Sequence, residues 1–87
     1  TVVIFEDPDC PLCQQMEEDF KKAGPSLNMT VKILPFPLTQ LHPQAEARSR
    51  HLFCTANPEG AWNEWMTTPA VRKNWEAFAA KHPADPS

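Results

Sequence analysis

Cys10 and Cys13 stand three residues apart in Cys10-Pro11-Leu12-Cys13, directly after an acidic stretch, Glu6-Asp7-Pro8-Asp9. Two thiols at this spacing suit reversible disulfide chemistry when they open a helix. The helix N-terminus stabilises a thiolate on Cys10, and Cys13, one turn on, lies within reach to close the ring. In that chemistry Cys10 attacks a substrate disulfide and Cys13 resolves the mixed disulfide, with no cofactor required. Pro11 and Leu12 complete the active-site loop with Asp9, and they tune the couple by setting how well backbone amides support the thiolate. Glu6, Asp7 and Asp9 would raise the Cys10 pKa if they point inward.

The same residues admit other chemistry. His51-Leu52-Phe53-Cys54 is a second pair at matching spacing, so Cys10, Cys13, His51 and Cys54 could form a tetrahedral zinc site. Against this, His51 and Cys54 fall in one continuous helical pattern away from the first pair. Cys54 on its own reads as a small buried apolar residue. His42, His51 and His82 lie in or beside helices without a nucleophile at catalytic spacing, which favours solvated or capping roles. Trp62, Trp65 and Trp75 recur at helical spacing and read as core. In a third reading, Trp62 and Trp65 form a docking face and the protein is a non-catalytic interaction module. Glu17, Glu18, Lys21 and Lys22 read as a solvated helix face.

These side chains must be positioned by short elements. Thr1 to Phe5, rich in β-branched residues, reads as a buried strand. Cys10 to Ala23 reads as an amphipathic helix with Leu12, Met16 and Phe20 on its apolar side, Asp9 as N-cap and Gly24-Pro25 as the stop. Asn28 to Phe36 reads as a second strand, ended by Pro35 and Pro37. Strand, helix and strand over this length make a βαβ unit with parallel strands, and Cys10 falls at the carboxyl edge of the first, where sites gather in open α/β sheets. Three helices follow. One runs over Pro43 to Thr55, one is capped by Asn57-Pro58 and carries Ala61, Trp62, Trp65 and Met66, and one follows Thr68-Pro69 and carries Val71, Trp75, Phe78 and Ala79, with Lys81 and His82 in its last turn.

The bulk numbers bound the partners. In 87 residues, 41% are hydrophobic and 22% charged, values ordinary for a globular chain. The formal charge of −3 comes without any run of Lys or Arg, which gives nucleic-acid binding no support. No apolar run approaches the roughly 20 residues of a membrane-spanning helix. No signal peptide is present, and a strand at residue 1 suggests that a leader or domain precedes it in the gene product. A two-stranded sheet has two bare edges, which a homodimer, a strand-exchanged oligomer or further sequence would cover.

Phe5-Glu6-Asp7-Pro8-Asp9-Cys10-Pro11-Leu12-Cys13 resembles the active-site segment of the periplasmic disulfide interchange proteins of the DsbC and DsbG type, within the thioredoxin superfamily. The likeness extends to Val31-Lys32-Ile33-Leu34-Pro35-Phe36-Pro37, to Ala45-Glu46 through Phe53-Cys54, and to Ala61-Trp62-Asn63-Glu64-Trp65-Met66. It implies an α/β thioredoxin-like domain in which residues 1–38 form the βαβ unit, 39–82 an inserted or appended helical subdomain, and 83–87 a frayed tail. It also implies isomerase or reductase activity on exported proteins in the bacterial periplasm, and a membrane thiol reductase as partner. Proteins of this class often carry a structural disulfide in the helical region, but this chain has no fourth cysteine, so Cys54 is expected unpaired. Two departures stand out. No apolar run remains for the family's C-terminal β-hairpin, and Thr68-Pro69 admits two readings: a helix cap, or the family's cis-proline loop.

Overall fold

The computed structural model describes residues 2–24, 31–36 and 40–85. Strand β1 spans Val2–Glu6 and β2 spans Val31–Pro35. They pair in parallel with Ile4 opposite Ile33 and Phe5 opposite Leu34, as a βαβ unit requires. Between them runs α1, Pro11–Ala23. Pro11 occupies its first position, where a missing N–H costs nothing because that group has no intrahelical acceptor. Asp9 is not the cap: Cys10 holds the N-cap position, with extended backbone angles and no side-chain capping bond. The expectations at 25–30 and 37–39, including the stop at Pro25 and the strand end at Pro37, lie outside the described residues.

The first strand is buried only at its last residue, Glu6. Val3 is 50% exposed and Phe5 62% exposed, because alternate residues of a strand face opposite ways and, among the described residues, helices cover one face of the sheet. Phe5 meets Phe36 edge to face on the open side, with ring centroids 6.0 Å apart. Ile33 packs on the opposite side against the helical core.

That core is built from α2 (Ala45–Phe53), α3 (Pro58–Thr67) and α4 (Trp75–Lys81). Leu52, Ala61, Trp62, Trp65, Met66 and Phe78 are buried together, and Cys13, Ile33, Val71 and Trp75 pack against them. Asn57 caps α3 as its sequence predicts, its Oδ1 accepting from the Gly60 N–H at 3.1 Å. The helix expected after Thr68-Pro69 is divided. Pro69–Lys73 is a 3₁₀ turn, and Asn74 then starts α4 by accepting from the Ala77 N–H at 3.1 Å. The regular apolar spacing of Val71, Trp75 and Phe78 hides this break.

No cis peptide bond occurs among the described residues, so Thr68-Pro69 is not a cis-proline loop. Thr68 ends α3 and Pro69 opens the 3₁₀ turn, the helix-boundary role that proline's fixed φ suits. After β2 the described chain forms no further strand beyond one isolated bridge, Thr55 to Ala84. The Asp85 N–H donates to the Cys54 carbonyl at 2.7 Å, so the described part of the tail is tied down rather than frayed.

Candidate active site

Cys10 and Cys13 occupy the N-cap and third positions of α1, at the carboxyl end of β1, as free and partly exposed thiols. The first N–H groups of a helix have no intrahelical acceptors and favour negative charge beside them. Leu12, between the cysteines, is 81% exposed and presents a bare apolar side chain next to the sulfurs. Cys13 faces inward. Burial pushes its thiol up to about 11, a hydrogen bond from the Asp7 backbone pulls the other way, and Cys10 and Glu6 add to the rise.

The turn carrying the cysteines is fixed from several sides. Asp7 Oδ1 accepts from the Asp9 N–H at 2.7 Å, and the Cys10 N–H donates to the Asp7 carbonyl at 3.2 Å. The Pro8 carbonyl receives two donors, Trp65 Nε1 at 2.8 Å and Gln14 Nε2 at 2.9 Å. Asp7 is buried and its Oδ2 pairs with His42 Nδ1 at 3.0 Å. Asp9 pairs with Arg48 at 2.8 Å, and the Arg48 guanidinium lies over the rings of Trp65 and Trp75, 5.5 Å from each centroid. Two of the three acids before Cys10 thus have basic partners.

Glu6 is different. It is 1% exposed, neither carboxyl oxygen has a hydrogen-bond donor in good geometry, and the group facing it is Glu17 of α1. Two carboxylates are both acceptors, so they bond to one another only when one carries a proton. Burial, followed by the bond to and charge of Glu17, pushes Glu6 up to about 8, and the Trp62 indole opposes this. Glu17 is itself 8% exposed and accepts from Trp62 Nε1 at 2.8 Å.

Sequence reasoning placed Glu17 on a solvated face and passed over the partnership of His42 with Asp7 and of Arg48 with Asp9. One signal was available for Glu17: it lies four residues after Cys13, hence on the same helix face as an inward-pointing residue. The apolar stripe Leu12, Met16, Phe20 is not the buried face of α1, since Leu12 is exposed and Met16 and Phe20 only half-buried.

The remaining candidates are dispersed. His51 Nε2 bonds the His82 carbonyl at 2.7 Å and its ring meets Trp75, while His82 lies beside Glu64 at 3.3 Å. Cys54 is exposed at the C-terminus of α2, not buried as a small apolar residue. No three His, Cys, Asp or Glu side chains among the described residues converge to hold a metal, so Cys10, Cys13, His51 and Cys54 are not assembled into a zinc site. Trp62 and Trp65 are 4% and 2% exposed, which removes them as a docking face. A shallow cleft of about 430 Å³ adjoins the turn, lined by Asp9, Gln14, Leu41, His42, Arg48 and Trp65 among others.

Known proteins resemble this chain in sequence and in fold. Residues 1–85 match the family model described as a thioredoxin-like domain. The chain is 29% identical over 65 residues to a probable thiol:disulfide interchange protein DsbC of Bordetella pertussis, a match covering 75% of this chain and 22% of that protein. It is 28% identical over 71 residues to thiol:disulfide interchange protein DsbC of Salmonella typhimurium, covering 82% of this chain and 30% of that one. The crystal structure of a disulfide interchange protein from Neisseria gonorrhoeae superposes with a TM-score of 0.67 at 34% identity, over 77% of this chain and 46% of that one. The chain thus spans between a fifth and a third of the length of these curated relatives. With a C-x-x-C pair at the head of the first helix, a parallel βαβ unit and a family match over almost its whole length, the chain belongs to the thioredoxin-like domain family.

Proposed function

We propose that this protein carries out thiol–disulfide exchange through a Cys10–Cys13 dithiol/disulfide couple, as an isomerase or reductase of exported proteins in the periplasm. The observation that carries the reading is the placement of the two sulfurs at the N-cap and third positions of α1, next to one another and partly open to solvent. Cys10, at the helix start, is the attacking sulfur. Cys13, inward and harder to ionise, is the resolving one. Exposed Leu12 offers an apolar contact, and the cleft bounded by Asp9 and Arg48 a polar one, for an extended polypeptide. The cycle needs no cofactor. A membrane thiol reductase that returns the pair to the dithiol state completes it, as the family likeness implies.

The test is trapping. With a disulfide-bearing polypeptide as substrate, Cys13→Ala accumulates a mixed disulfide on Cys10, and Cys10→Ala accumulates none. Equal trapping by both variants, or by neither, overturns the proposal.

A further inference from the structure

The charges around the cleft of about 430 Å³ beside the cysteine turn do not balance. Arg48, Arg72 and His42 line it, and Asp9 is the one acid among its described lining residues. Asp9 is engaged by Arg48 at 2.8 Å, and His42 turns to buried Asp7 at 3.0 Å. Arg72 is left with no carboxylate partner among the described residues, in a chain whose formal charge is −3. Its side chain is nonetheless fixed. Arg72 Nη1 donates to the Trp65 carbonyl at 2.8 Å and to the Met66 carbonyl at 3.0 Å, in the last turn of α3, where carbonyls lack intrahelical donors and favour a cation. These two bonds use both hydrogens of Nη1. The other edge of the guanidinium, Nε and Nη2, has no acceptor among the described residues, and it is a fork that can grip a carboxylate by two parallel bonds. Trp65, whose carbonyl takes Arg72, also donates its indole N–H to the Pro8 carbonyl at 2.8 Å, so Arg72 and the cysteine turn are anchored to the same residue.

We infer that this cleft receives an acidic side chain of the disulfide-bearing polypeptide, and that Arg72 is the residue that selects it. The inference rests on the exchange chemistry proposed above and names the class of substrate it acts on: cysteines with Asp or Glu within a few residues. Asp9 both lines the cleft and precedes Cys10, so a polypeptide bonded to Cys10 Sγ starts next to it, and each further extended residue advances about 3.3–3.6 Å. The volume lies toward the small end of the roughly 300–1,000 Å³ of ligand sites, which suits a side chain and its backbone, not a folded surface. A carboxylate that meets the free edge of Arg72 finds a cation already held by two carbonyls, so little side-chain freedom is lost on binding. A basic side chain in the same space meets that charge unpaired and is repelled.

The experiment uses end-blocked peptides that carry one cysteine as a disulfide with a small neutral thiol, and Glu, Gln or Lys at each position up to three residues from the cysteine on either side. Cys10 Sγ of the Cys13→Ala protein attacks the peptide sulfur, the small thiol leaves with the electron pair, and the rate at which peptide is retained on the protein is read by mass. Each rate is divided by that of a small free thiol with the same peptide. At the position that reaches the cleft, Glu should be captured about five- to tenfold faster than Gln and Lys more slowly than Gln, and the preference should shrink in about 0.5 M salt. Arg72→Gln should bring the ratio of Glu to Gln near one. Arg72→Lys, which keeps the charge without the fork, should leave it at about twofold. A general loss of folding lowers both rates and not their ratio, so each variant is its own control. A ratio of one at every position with Arg72 intact, or a ratio that Arg72→Gln leaves unchanged, overturns this inference alone. If no peptide of any sequence is captured on Cys10, the exchange reading falls with it.

Discussion

Trp65 Nε1 donates to the Pro8 carbonyl at 2.8 Å, so a residue of the helical subdomain holds the backbone two residues before Cys10. The bond spans 57 positions of sequence and is buried at both ends. Trp62 makes a parallel connection, from α3 to Glu17 on α1. The helices after β2 therefore form one wall of the cysteine turn, and their packing bears directly on where that turn is held. Trp65→Phe removes the indole donor and part of its volume while the Pro8 carbonyl keeps Gln14, and should destabilise the fold by about 1–3 kcal/mol in urea denaturation. Cys10 alkylation should accelerate in the same variant as the turn loosens. Unchanged stability and unchanged alkylation would show that the bond does not hold the turn.

Glu6 gives stability an unusual pH dependence. Its carboxyl goes from 4.5 in the unfolded chain to about 8 when folded, so between these values the native state holds a proton that the unfolded state has released. The Glu6 contribution is fully present below 4.5 and is lost as pH rises toward 8, with a slope of at most about 1.4 kcal/mol per pH unit. Glu64 works in the opposite direction. Its partial burial raises it, but hydrogen bonds from His82 and Lys81 and their charges outweigh that and hold it below its ordinary value, so its contribution is lost as pH falls through the folded value. Denaturant midpoints measured from pH 5 to 8 should fall for the wild type and flatten for Glu6→Gln. A Glu6→Gln curve parallel to the wild type would sink the assignment.

The βαβ unit with its cysteines was legible because its signals are local. A β-branched run, a C-x-x-C and a proline at the first helical position lie within 13 residues, and Asn57-Pro58 marks α3 equally well. The charged half of the site was not legible, because its meaning depends on distant partners. Glu17 looks like any surface glutamate until Trp62 is seen 45 residues away, and the same is true of His42 with Asp7 and of Arg48 with Asp9. Exposure of β1 was missed for a related reason: β-branched residues suit a strand in general, and nothing in them says whether a second face is covered. The resemblance to the interchange family carried the fold reading further than periodicity did; at Thr68-Pro69 it added a cis-proline loop beside the helix-cap reading, and the chain builds the helix boundary.

Asn57 and Gly60 form a coupled pair at the start of α3. The cap bond from Gly60 N–H to Asn57 Oδ1 draws the amide side chain so close that a methyl group on Gly60 would come within 2.5 Å of Asn57 Nδ2. Gly60→Ala gains about 1 kcal/mol of helix propensity and forfeits a cap worth about the same, for a net change near zero. In an Asn57→Ala background there is no cap to lose. The same Gly60→Ala change should then stabilise by about 1 kcal/mol, and a double-mutant cycle read by thermal or urea unfolding should return a coupling of that order. Additive effects would mean that the two side positions do not compete.

Arg48 joins α2 to the cysteine turn by two means at once. Its guanidinium bonds Asp9 at 2.8 Å and Gln44 at 2.6 Å, and it lies over Trp65 and Trp75. A planar cation can do both together; an ammonium cannot, since it lacks the flat face and the fork of donors. Arg48→Lys should therefore retain the charge opposite Asp9 yet lose about 1 kcal/mol, and Arg48→Met, which keeps some packing but leaves Asp9 uncompensated, about 1–2 kcal/mol. The charge and the stacking separate under salt. At 1 M salt, where the Debye length is about 3 Å, the gap between Arg48→Lys and Arg48→Met should narrow, because their main difference is the pairing with partly exposed Asp9. The gap between wild type and Arg48→Lys, set by contact with two indoles, should persist. If high salt instead abolishes both gaps, the residue acts as a charge alone and the tryptophans do not grip it.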